Sequence, residues 1–172
     1  MVASVLDRQV LHTFGVATQG EGFTRLDRTL NEWIATTGLD QGVLHLTCLH
    51  TSASLTINEN ADPRVLQDLS AWMARIAPQV GVQDLSPKQR GVYVYKHDDE
   101  GDDDMPGHIR TALTAQTMSL SVDRGRLLLG TWQAVYLWEH RAMGSTRRIA
   151  AHLIGSEPVS YTHLTLPTIL LV

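Results

Sequence analysis

Six carboxylates fall within the seven residues Asp98 to Asp104, and an imidazole stands at either end, His97 before them and His108 after. Unpaired charges at this density do not enter an apolar core, so the stretch reads as a solvated connection that the rest of the chain must fold around. On its N-terminal side, Gly91 to Tyr95 alternates and is rich in strand formers. On its C-terminal side, from Met105 and Pro106, Ile109, Ala112 and Leu113 stand at helical spacing, with Asp104 as the expected cap. The loop therefore joins a strand end to a helix start. Carboxylates and imidazoles held together there can raise one another's pKa, bind a divalent cation or move protons.

Two further helices are expected. One begins at Thr24, where Thr24 and Asp27 resemble a capping box, carries Leu26, Leu30, Trp33 and Ile34 on one stripe, and stops at Gly38. The other starts at Asp62 and Pro63, runs through Val65, Leu66, Leu69, Trp72, Met73 and Ile76 as a core stripe, and ends before Pro78. The remaining apolar runs are short and strand-like. They are Val2 to Phe14, Val43 to His50, Leu55 to Ile57, a hairpin of Met118 to Val122 with Arg126 to Leu129 about the turn Asp123-Arg124-Gly125, Ala134 to Trp138, and Ile149 to Ile154. The fold class is α+β: one domain of mixed, mostly antiparallel β-sheets with about three helices.

The 172 residues are 43% apolar, enough for one buried core without staples. The lone cysteine, Cys48, has no internal partner and points to a reducing, cytoplasmic setting. No run reaches the roughly 18 apolar residues of a membrane span, and the first residues lack the basic-then-apolar signal pattern. The net charge of -4 arises in the acidic stretch; outside it the basic residues are scattered and not interleaved with aromatics, which argues against nucleic acid as a partner.

Histidines recur at element ends. His50 closes one strand among small polar residues, His97 another, and His140 a third within Glu139-His140-Arg141; His108 sits in the first turn of a helix. His45 lies inside a strand, where a hydrogen-bonded structural role is the stronger reading. Asn58 and Glu59 read as turn residues. Trp132 and Trp138 can stack on a ring-shaped ligand, although packing is the default for tryptophan.

Taken in order, His45 to His50, Thr51-Ser52-Ala53-Ser54 to Asn58-Glu59-Asn60, Glu100-Gly101 to Asp104-Met105-Pro106 with His108, Gly130-Thr131-Trp132-Gln133 and Glu139-His140-Arg141 resemble the YjbQ-like family, which carries the name secondary thiamine-phosphate synthase. The resemblance runs from near the N-terminus to about residue 155. It implies a homotrimer with a pocket near a subunit interface and a divalent metal, zinc among the candidates, held by His50, His97 and His108. In the same pocket it implies catalytic roles for Glu100, Asp104, Glu139, His140 and Arg141, and substrate binding by His45, Asn58, Glu59 and Trp132. Residues 156–172 depart from the family and resemble a translated cloning adapter.

The family name implies joining a pyrimidine diphosphate to a thiazole phosphate with release of diphosphate. Arg141, Arg147 or Arg148 would supply donors to a small phosphorylated substrate. A Gly-rich loop with lysine for clamping diphosphate is absent. Two alternatives stand beside the transferase: metal-assisted hydrolysis of a phosphate ester, and a non-catalytic metal or small-ligand binding protein.

Overall fold

The computed structural model describes residues 6–84 and 91–158. Ten strands and three helices follow one another as β1 (Arg8–Ala17), β2 (Gly22–Arg25), α1 (Asp27–Thr37), β3 (Gln41–Cys48), β4 (Ala53–Glu59), α2 (Pro63–Ile76), β5 (Val82–Asp84), β6 (Gly91–Tyr93), α3 (Asp104–Leu113), β7 (Thr117–Asp123), β8 (Arg126–Leu127), β9 (Gln133–Glu139) and β10 (Thr146–Ser156). They form a five-stranded sheet in the order β1-β10-β3-β7-β8, a three-stranded sheet β2-β9-β4 and a ribbon β5-β6. Every pairing is antiparallel among the described residues. The chain is thus a single α+β domain.

Alternation decides what lies between the two larger sheets. Leu44, Leu46 and Cys48 of β3, Leu120 and Val122 of β7, and Ile149, Ala151 and Leu153 of β10 project from one sheet, and Leu55, Val135 and Leu137 from the other. Leu26, Leu30 and Ile34 bring α1 into the same core. Each fully buried Leu or Ile contributes about 1.5–3 kcal/mol. Helices α2 and α3 both pack against β4.

Several boundaries differ from those read in the sequence. Thr24 does not cap a helix: it pairs with Leu137 as part of β2, and α1 begins at Asp27, whose carboxylate is held by Arg25. Strand pairing, with Phe23 stacked on Trp138 at 4.5 Å, outweighs the local capping pattern there. Asn58 and Glu59 lie within β4 and not in a turn, because the strand keeps pairing with β9 as far as Gln133. The stripe on α2 is only partly core: Met73 is buried, whereas Trp72 and Ile76 are exposed. At α3, Asp104 is the first helical residue and turns inward, and Leu113 is exposed. Asp62 does cap α2, accepting from the Arg64 N–H at 2.9 Å, whereas β3 ends at Cys48, two residues short of the expected His50. The adapter-like tail beyond Pro158 lies outside the described residues.

Candidate metal centre

Two tight turns fold the acidic stretch back on itself. The Gly101 N–H donates to the Asp98 carbonyl and the Asp104 N–H to the Gly101 carbonyl, both at 3.0 Å, with Gly101 at φ +114°, a conformation that disfavours any side chain. Asp104 is thereby carried under the end of the ribbon and buried to 2% exposure. Its Oδ2 lies 3.0 Å from His97 Nε2, and its Oδ1 lies 3.6 Å from His108 Nε2, one helical turn further on. The two imidazole rings are 5.2 Å apart, and one donor atom from each of the three residues falls within 4.8 Å of the others.

Arg141 holds this group from below. Its guanidinium donates to Asp104 Oδ1 at 2.6 Å, to Asp103 Oδ2 at 3.2 Å and to the Glu100 carbonyl at 2.8 Å. Burial raises the Asp103 carboxyl, but the Ala142 N–H and Arg141 outweigh it and hold the group below the ordinary carboxylate range. The Arg141 N–H in turn donates to Glu139 Oε1 at 3.0 Å. Glu139 is fully buried and forks against Arg147, with the Thr18 hydroxyl as a further donor at 2.9 Å. Burial pushes its carboxyl up, and these donors more than reverse the effect. Gly107 lets α3 approach: a Cβ there would meet Arg141 Cδ at 3.3 Å and Ser52 Cβ at 3.4 Å.

The remaining expected site residues divide among other places. His50 is not part of the His97–Asp104–His108 cluster, its Nε2 accepting from the Arg148 N–H at 2.7 Å and its Nδ1 3.4 Å from Arg147 Nη1. Burial and the Arg147 charge lower its pKa. His45 faces outward from the five-stranded sheet beside Ser119, at 3.1 Å. His140 is 1% exposed, with Nε2 2.8 Å from Ser54 Oγ, and burial together with the Arg110 charge lowers its pKa to about 4. Glu100 contributes its carbonyl to Arg141, while its carboxylate lies 3.5 Å away and is exposed. Asn58, Glu59 and Trp132 line a separate cleft at the far end of β4 from Ser54 and Glu139. Arg141 and Arg147, expected as anion donors, are both taken by carboxylates.

Asp103, Thr18 and Ser54 carry no signal in the sequence that marks them for this site. Nothing in a row of six acids tells which carboxylate turns inward, and the partner that decides it, Arg141, lies 38 residues from Asp103.

Residues 12–156 match the model of a family described as UPF0047 protein YjbQ-like. The chain belongs to that family. The UPF0047 protein YjbQ of Escherichia coli O157:H7 is 40% identical over 144 residues, covering 83% of this chain and 96% of the relative. UPF0047 protein sll1880 of Synechocystis is 39% identical over 148 residues, covering 86% and 93%. Among solved structures, a conserved hypothetical protein from Thermus thermophilus superposes with a TM-score of 0.65 at 31% identity, over 83% of this chain and 98% of the other. A member of the YjbQ/UPF0047 family from Clostridium acetobutylicum gives 0.68 at 27%, over 84% and 99%. Among the described residues of this YjbQ-like chain, no helix is long and apolar enough to cross a membrane.

Proposed function

We propose that this protein is a metal-dependent enzyme for a small phosphorylated substrate, with His97, Asp104 and His108 holding a divalent cation, and with transfer of the thiamine-phosphate synthase type as its reaction. The observation that carries the reading is Asp104 Oδ2. It is buried and makes no hydrogen bond, yet an imidazole nitrogen stands 3.0 Å away. A buried carboxylate whose Oδ2 has only the His97 imidazole beside it, with a second imidazole 3.6 Å from its Oδ1, is an arrangement that a shared cation would satisfy. Two nitrogens and one oxygen suit zinc, and a three-ligand set is the kind that leaves a position open for chemistry. The His97 and His108 side chains are 53% and 33% exposed, so the open side faces solvent.

When bound, the cation would neutralise charge on phosphate oxygens and on a departing diphosphate. The chain's own contribution is to orient the ligands. Arg141 fixes Asp104 through Oδ1 and so leaves Oδ2 turned toward His97, while Glu139 and Arg147 fix Arg141 through its backbone. Of the three arginines expected to meet phosphate, Arg148 is the one that is exposed and without an ion pair among the described residues. The reading includes a homotrimer, supported by the uncharged middle rows of the outer face of the five-stranded sheet, and a cytoplasmic setting, supported by the buried free thiol of Cys48.

The test measures metal content and thiamine-phosphate formation on one purified sample, before and after chelation, with Asp104→Asn alongside. Stoichiometric metal, lost together with turnover on chelation and in the variant, is the expected result. Turnover that survives removal of metal would overturn it. Hydrolysis of a phosphate ester without transfer would make the protein a hydrolase, and bound metal without any turnover a binding protein.

A further inference from the structure

The turn Gly130 to Gln133 is held more firmly than an ordinary surface loop. Asn60 donates its N–H to the Trp132 carbonyl at 3.0 Å and its side-chain amide to the carbonyls of Thr131 and Gln133 at 3.2 and 3.1 Å. Gln133 closes the turn on itself, its N–H donating to the Gly130 carbonyl and its Oε1 accepting from the Gly130 N–H, at 2.9 and 2.8 Å. This anchored turn presents an indole left 66% exposed. An aromatic ring fixed in water adds little to folding, and rigid exposed aromatics are what binding sites use.

Beside Trp132 lies a cleft of about 530 Å³, lined also by Ile57, Asn58, Glu59, Ala61 and Gln133. Glu59 is half-buried, and its carboxylate accepts only the Asp62 N–H, at 3.3 Å, with no ion pair among the described residues. Its backbone is tied down by the Tyr136 hydroxyl, which donates to the Glu59 carbonyl at 3.0 Å. An indole face and an unneutralised carboxylate on one cleft attract the same kind of ligand: flat, so that it stacks, and positively charged. We infer that the Trp132–Glu59 cleft binds a small planar cation, a nitrogen heterocycle carrying positive charge on its ring. Along β4, Glu59 lies five residues from Ser54, which separates the two by about 17 Å at roughly 3.3 Å per residue. The inference does not need the metal reading.

The test titrates the full chain with 1-methylnicotinamide, a planar cation, and with nicotinamide, its neutral counterpart, following the indole N–H signals of the four tryptophans by nitrogen-resolved NMR. Trp132→Phe assigns the signal that matters. Saturable shifts of that signal by the cation, with binding about tenfold weaker for nicotinamide and for the cation with Glu59→Gln, are expected. Glu59→Gln keeps the acceptor for the Asp62 N–H, so the variant remains folded by its melting curve. Equal affinity for the two probes, or heat of binding unchanged by calorimetry in Trp132→Ala, would overturn the inference. So would a Trp132 signal that moves with protein concentration alone, which would make the cleft a contact between copies. The titration is repeated on Asp104→Asn after chelation. Retained binding there supports a cleft independent of the metal group, and lost binding with the fold intact overturns that independence.

Discussion

Arg141 was expected to hold an anion of the substrate, yet its donors are spent on Asp103, Asp104 and Glu100. Its geometry suits positioning. A guanidinium presents its donors as a planar fork, and a lysine in the same place keeps the charge but loses the fork. Arg141→Lys is therefore expected to lower cation affinity by about 10–100-fold, the usual cost of disturbing a ligand's supporting partner. Competition against a chromophoric chelator measures it, and unchanged affinity would mean that Asp104 is oriented without Arg141. A second residue-scale consequence concerns His140. Its folded pKa of about 4 lies below the ordinary value of 6.5, so between those values the unfolded chain binds the proton that the folded chain refuses. Its contribution is whole above about pH 6.5 and is lost as pH falls toward 4, by about 3 kcal/mol over that window. Glu139, whose pKa is lowered, adds a loss in the same direction once pH falls below its unfolded value. Denaturant unfolding across this range is expected to show steep acid destabilisation, and His140→Gln to flatten it between pH 6.5 and 4. An unchanged slope in that variant would show that His140 is not the group responsible.

At the scale of elements, the candidate metal group of His97, Asp104 and His108 depends on how closely α3 lies against Arg141 and Ser52. A helix interior ordinarily favours Ala over Gly by about 0.8–1.0 kcal/mol. At Gly107 the added methyl would press on Arg141, which three acceptors hold in place, and on Ser52. Gly107→Ala is thus expected to bring no gain in melting temperature and a measurable loss of cation affinity; the full helix-propensity gain with unchanged affinity would show that the contact is slack. This packing also explains which parts of the site the sequence reveals. The existence of β3, the Asp62 cap and the β7–β8 hairpin were legible because alternation, an Asp-Pro pair and a Gly turn are local signals. The inward turn of Asp104 was not, since a carboxylate opening a helix reads locally as a cap, and only Arg141 and the two imidazoles give it a reason to be buried. The separation of the Asn58, Glu59 and Trp132 group from His97 was equally hidden. It comes from β4 pairing with β9 along its whole length, a distance that no motif spacing encodes.

For the whole molecule, the outer face of the five-stranded sheet bears on assembly. Three rows cross it on the side away from the core: Gln9, Ile154, Val43 and Ser121; Leu11, His152, His45 and Ser119; Thr13, Ala150, Thr47 and Thr117. None of these positions is Asp, Glu, Lys or Arg. A solvated antiparallel face usually alternates toward charged and polar side chains, and here Leu11, Val43 and Ile154 are 70%, 43% and 38% exposed instead. The middle rows of this face are uncharged and expose aliphatic side chains, with Arg148, Asp123 and Arg126 only toward its ends, and such a surface is suited to burial against another copy. The homotrimer we propose would use it. Sedimentation equilibrium is then expected to give three times the chain mass for the parent, and a shift toward the single chain for Val43→Lys combined with Ile154→Lys, because buried ammonium groups without partners are not tolerated. Both side chains point away from the core face that carries Leu44 and Leu153, so secondary structure by circular dichroism should be kept. A parent that sediments as one chain would remove the trimer from the proposal, and a trimer untouched by both lysines would place the contact on another face.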